Sequence, residues 1–183
     1  AGRQALNYGS GALLSSNDWG TNRTTWDGFK IGLDLDMADV TIGYASRNND
    51  ADSINGVSTE GMDQTNGNMY LNAGGEFSGW NVNLVYMTKT TMGESGENAA
   101  TGIDISGEVM GAGISASMNS DYEGDEMRVI GLTYAVNDDM GVNVSQTVYG
   151  EEGAFNMSGT NMDGSWMTTG NMGYLGSDAE LLS

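Results

Sequence analysis

FKIGLDLDMADVTIGYASR, residues 29–47, alternates apolar and polar side chains twice, with one short break between the two runs. Phe29, Ile31, Leu33 and Leu35 fall on one face of an extended chain, and Lys30, Gly32, Asp34 and Asp36 on the other. After the break at Met37 and Ala38, Val40, Ile42 and Tyr44 oppose Thr41, Gly43, Ala45 and Arg47. A period of two on both sides of a tight turn reads as an antiparallel hairpin. The pattern recurs in three further pairs, residues 68–77 with 80–89, 102–109 with 112–119, and 129–136 with 140–149. Gln146 interrupts the apolar face of the last one, and residues 165–174 read as a weaker ninth strand.

Connections alternate in length along the chain. Within hairpins they are short: DMAD, FSGW, VMGAG and VNDDM. Between hairpins they are polar and longer, at residues 48–67, 91–101, 120–126 and 150–164. Runs of about 8–10 residues are long enough to cross a bilayer when tilted. Their polar faces carry Asn, Ser, Thr, Gly and charges, as in a water-filled barrel, and long loops alternating with tight turns belong to the same architecture. Phe77 and Trp80 near a turn, with Tyr44 and Tyr86 further along, suit interfacial girdles. The expected fold is all-β: an antiparallel up-and-down meander forming part of a porin-like transmembrane β-barrel. A soluble β-sandwich shows the same alternation. In a barrel the face of Phe29, Ile31, Leu33, Val40 and Ile42 looks outward; in a sandwich a second sheet covers it.

Composition excludes several classes. The 183 residues contain no Cys, His or Pro, but 29 Gly and 13 Met, and no window keeps an apolar stripe at helical spacing. Without His or Cys there is no Ser-His-Asp or Cys-His nucleophile system and no ordinary zinc or copper site. The chain is read as a non-enzyme without cofactor, and a barrel lipase or protease fails on the missing His. Carboxylates are too numerous for any pair to stand out; Asp138–Asp139 and Glu151–Glu152 read as solvated turn residues. A calcium loop starting at Asp50 fails, because Ile54 and Asn55 fall where a ligand and a glycine are required. SDYEGDE, residues 120–126, is dense enough in acids to attract a cation weakly, but reads better as a surface loop. A net charge of −19 with only six cations excludes nucleic acid as a partner.

Charged residues in the polar phase of the strands are the candidate pore-lining set: Lys30, Asp34, Arg47, Glu76, Lys89, Asp104 and Glu108. Opposed charges across a lumen set a transverse field and tune ion selectivity.

The first 30 residues break the hairpin texture and hold three of the six cations, Arg3, Arg23 and Lys30, with Trp19 and Trp26. Gly2-Arg3-Gln4, Leu6, Tyr8-Gly9, Leu13-Leu14, Asp18-Trp19, Arg23-Thr24 and Trp26-Asp27-Gly28 resemble a segment of alginate-export-type outer-membrane porins, in the form found in Bacteroidetes. The resemblance implies an inward-folded or lumen-facing segment after a barrel strand, and adds Arg3 and Arg23 to the pore-lining candidates. Ala12 stands where members of that family often carry a base, and 25 acids against six bases point away from a polyanionic substrate.

The resulting expectation is a single partial barrel domain over residues 1–183, a piece of a larger porin. Residues 1–26 form a loop or inward-folded segment and 27–183 form four to five hairpins. It starts at Ala and ends in GSDAELLS, which looks like a strand beginning. The expected partners are outer-membrane lipid and small hydrophilic solutes or ions. The expected location is the outer membrane of a Gram-negative bacterium, and the expected function is passive diffusion. The other function class considered is an acidic cell-surface β-sandwich for adhesion or carbohydrate binding, with calcium as a possible requirement.

Overall fold

A computed structural model of the chain describes residues 1–16, 25–46, 53–54, 57–58, 67–91, 94–137, 139–151, 155 and 180–182. The strands are β1 (Gly2–Gln4), β2 (Trp26–Leu35), β3 (Ala38–Ser46), β4 (Ser53–Ile54), β5 (Val57–Ser58), β6 (Gly67–Phe77), β7 (Trp80–Thr91), β8 (Glu94–Val109), β9 (Ala112–Ser120), β10 (Glu126–Asn137), β11 (Met140–Tyr149) and β12 (Glu180–Leu182). Ten of them form one antiparallel sheet in sequence order, β1-β2-β3-β6-β7-β8-β9-β10-β11-β12, while β4 and β5 pair separately. The expected all-β meander is therefore present. The sheet is open, with the short strands β1 and β12 at its edges.

The tight turns have a chemical cause. Ser78 and Gly79 have φ of 52° and 83°, and Met110 and Gly111 have 53° and 80°. Positive φ at both central residues is the type I′ turn, whose twist suits a two-residue hairpin. Replacing Gly111 by Ala should cost about 1–2 kcal/mol, the penalty of a Cβ in the left-handed region. Urea unfolding of the variant checks this. The control is Gly113→Ala, at a position where φ is not positive.

Two connections differ from the sequence reading. The loop expected over residues 91–101 is largely strand: β7 runs to Thr91, β8 begins at Glu94, and the ladder continues past a register shift between Thr88 and Thr90. The sequence of this extension carries no regular alternation, so periodicity does not mark it as strand. The connection at 121–125 is compact. Asp121 Oδ1 accepts from the backbone N–H of Glu123 at 2.8 Å and of Asp125 at 3.0 Å. The expected strand at 165–174 lies outside the described residues.

Register fixes a slant. Val40 faces Ala73, which puts Ala38, at the first turn, level with Gly75; Phe77, at the second turn, lies two residues beyond. Trp80 faces Gly107, and Val109 at the third turn is again two residues beyond. Ala112 faces Tyr134, and Asn137 at the fourth turn is three beyond, across a bulge. Each turn is displaced the same way along the strands, by about one residue per strand.

The two faces differ sharply. Large apolar side chains on one face stay open: Phe29, Ile31, Leu33 and Leu35 on β2 are 50–61% exposed, and Ile130, Leu132, Tyr134 and Val136 on β10 are 48–60% exposed. On the other face one buried cluster gathers Trp26 from β2, Tyr70 from β6, Met87 from β7, Ala100 from β8, Met127 from β10 and Tyr149 from β11. Eight strands of a flat sheet at ~4.8 Å spacing would span roughly 34 Å. The cluster forms around one short chain segment, so the sheet curls with its polar face inside.

Candidate functional site

The segment is residues 5–16, and it closes on itself. The Asn7 side chain donates to Ser16 Oγ at 2.8 Å, and Ser16 N–H donates to Asn7 Oδ1 at 2.7 Å. Tyr8 N–H donates to the Leu14 carbonyl at 3.2 Å, and Gly11 N–H to that of Tyr8 at 3.0 Å. This loop turns Leu6, Leu13 and Leu14 onto the sheet, where each is at most 2% exposed. Burying a leucine contributes about 1.5–3 kcal/mol.

The sheet is shaped for it. Beneath the loop the polar-phase positions are apolar or small: Val85, Met87, Ala100, Gly102, Met127 and Tyr149. A Cβ on Gly102 would lie 2.9 Å from Leu13 Cδ1, so the leucine rests directly on that glycine. Tyr8 packs its ring on Tyr70 with centroids 5.4 Å apart. Phe155, from beyond β11, is also buried in this cluster. Tyr122, in the 121–125 connection, leans on it, and burial pushes its phenol up from the ordinary tyrosine range.

Toward the tight turns the polar face is wet and acidic. The loop tip meets it at Ser10, whose N–H donates to Asp104 Oδ2 at 3.0 Å. Ser10 Oγ lies 3.3 Å from Ser117 Oγ, which also accepts from the Asn119 side chain at 2.7 Å. Asn72 donates to Asn83 Oδ1 at 2.7 Å. Gly9 permits this approach, since a Cβ there would fall 2.0 Å from Asp104 Oδ2. Asp104 Oδ1 and Asn83 Nδ2 are buried without a partner. Beside the tip lies a trough of about 660 Å³, lined among others by Asp39, Glu76, Asn81, Asp104, Ser106 and Ser115.

The expected site residues fall into three groups. Lys30 opposite Gly43, Asp34 opposite Asp39, Glu76 opposite Asn81, Asp104 opposite Asn83 and Glu108 opposite Gly113 share the polar face. Asp104 is half-buried and the other four are exposed. Arg3 is different. It sits on edge strand β1 opposite Asp27, in the phase of Phe29, so it stands on the opposite face from Lys30. Its guanidinium forms a bidentate pair with Asp27, at 3.0 Å from Nε and 2.9 Å from the terminal nitrogen. The pair is open to solvent, which screens it, so it adds little to stability. Lys89 lies in β7 opposite Asn68, and Arg23 and Arg47 lie outside the described residues. Asp39, Asn83, Ser117 and the tip at Gly9–Ser10 are not distinguished by the sequence alone. Only Asp39 carries a signal there, as a charge in the polar phase of β3.

The carboxylate of Asp121, in the stretch considered for a cation, is used as a turn acceptor. Among the described residues no group of three or more carboxylates is placed to hold a metal ion.

No family model matches this chain, and no curated protein is significantly similar to it.

Proposed function

We propose that this sheet is part of the wall of a transmembrane β-barrel in a Gram-negative outer membrane. The protein is then a porin-like channel for passive diffusion of small hydrophilic solutes or ions. The observation that carries this reading is the course of the exposed apolar side chains across the ladder.

Following the register straight across from Ile31, the outer face reads Ile42, Leu71 and Tyr86, then Thr101, Ser120 and Glu126. The row below reads Leu33, Val40, Ala73, Leu84, Ile103 and Met118, then Arg128, Val148 and Glu180. The apolar zone thus leaves each row partway and continues lower on the later strands, in step with the slanting turns. One residue of slip per strand, ~3.3 Å along against ~4.8 Å across, corresponds to a tilt of about 35°. Transmembrane barrels tilt their strands by about 35–45°. The apolar zone is a level band only if the strands lean by this amount.

The margins of the band agree. Phe29 and Tyr44 stack at 6.2 Å near its upper edge, and Phe77, Trp80 and Tyr134 lie toward the turns. Above it stand Thr101, Ser120 and the Arg128–Glu126 ion pair. Gln146, which interrupts the alternation of β11, donates to Glu180 and thus has a polar partner on the neighbouring strand. Between its outermost Cα atoms the band spans about 16–22 Å at this tilt, approaching the ~25 Å apolar belt of such barrels once side chains are added.

The cell-surface sandwich needs a second sheet over these side chains, and among the described residues none covers them. In hydrocarbon every strand edge must also be paired. The reading therefore requires partner strands for the open stretches of β2, residues 29–35, and of β11, residues 140–145.

The test is to refold the natural full-length polypeptide into planar bilayers and record single-channel conductance. Discrete ohmic steps are expected. Recovery as a soluble species with no conductance would overturn the proposal.

A further inference from the structure

We infer that the constriction of this conduit lies in the trough beside the loop tip at Gly9–Ser10, bordered by the carboxylates of Asp39, Glu76 and Asp104, and that it passes cations in preference to anions. The inference rests on the channel reading and adds to it a location and a sign of selectivity.

The location follows from how residues 5–16 are held. Their leucines are fully buried on an apolar patch that a purely water-filled interior has no reason to contain. The patch marks a standing occupant rather than a passing solute. The loop fills the end of the curl near the long connections, so the trough beside its tip is the space left on this wall. The tip is pinned twice, by Ser10 N–H to Asp104 Oδ2 and by Ser10 Oγ to Ser117 Oγ.

The sign follows from the lining. Among the described residues, Asp39, Glu76 and Asp104 border the trough, the other polar side chains lining it are amides and hydroxyls, and no lysine or arginine lines it. Lys30 shares the polar face but stands outside this lining. Asp104 holds the tip through Oδ2, while its Oδ1 is buried without a hydrogen-bond donor among the described residues. Fixed carboxylates lining a passage raise the local cation concentration and disfavour anions.

The experiment uses the natural full-length polypeptide in planar bilayers under a KCl gradient, reading the reversal potential. Wild type should favour K⁺ over Cl⁻. The double variant Asp39→Asn/Glu76→Gln, which leaves the Ser10–Asp104 contact intact, should lower that permeability ratio by roughly twofold or more while channels persist. Ser10→Cys/Ser117→Cys should crosslink readily under mild oxidant, read as a mobility shift that reductant reverses, because the two side chains already meet. Anion preference in wild type, an unchanged ratio in the double variant, or failure of this pair to crosslink would each overturn this inference while the channel reading stands. Absence of any channel would overturn both.

Discussion

Replacing Leu132 by arginine should cost about 2–4 kcal/mol of stability in a bilayer, the penalty for a cation near the midplane of a barrel's lipid face. Leu132 lies in the middle of the exposed apolar run of β10, level with Ile114 and Val144, and is 48% exposed. In water, a side chain already that open would tolerate the exchange within about 0.5 kcal/mol. The neighbouring Thr133 is at the same height but on the polar face, opposite Gly113 and Asn143. Thr133→Arg should therefore be nearly neutral. Urea titration of both variants refolded into liposomes gives the comparison. Equal, small effects would mean that the apolar face does not meet lipid.

That contrast rests on alternation, which is also what made the strands legible. β2, β3 and β6 to β11 each present a period of two, and a one-residue slip would turn every side chain to the wrong face. The turns were legible for a local reason as well, since Gly79 and Gly111 supply the positive φ that a two-residue hairpin needs. The slant was not legible, because it lives in the pairing between strands rather than within any one of them. Gln146 shows the difference. Along β11 it is a polar residue in an apolar row; across the ladder it lies between Ile130 and Leu182, and its side chain reaches diagonally to Glu180 on β12.

The site was harder to read for the same reason. Val85 falls in the polar phase of β7 and Met127 in that of β10, and neither has a local explanation. Both are explained by a partner far away in sequence, the leucines of residues 5–16. The resemblance of the opening stretch implied an inward-folded segment, but not where it would rest. Arg3 could not be placed from its own neighbourhood, because its partner Asp27 is 24 residues on and its face is set by pairing to β2. Asp104 was visible as a polar-phase charge, but its contact with Ser10 spans 94 residues.

The contact between Leu13 and Gly102 tests the seat itself. Leu13→Ala should cost about 2–5 kcal/mol, the range for emptying a fully buried leucine site. Gly102→Ala should also destabilise, by about 1–3 kcal/mol, because its new methyl would lie 2.9 Å from Leu13 Cδ1 and 2.6 Å from Asn119 Oδ1. The two changes should not add. Shortening Leu13 removes one of the two obstacles to the methyl, and the methyl returns part of the lost packing. A double-mutant cycle on urea unfolding should therefore show a compensating coupling of about 0.5 kcal/mol or more. Strict additivity would mean that Leu13 does not rest on Gly102. The loop would then have lost its specific seat on the sheet, and with it the reason to place the constriction at its tip.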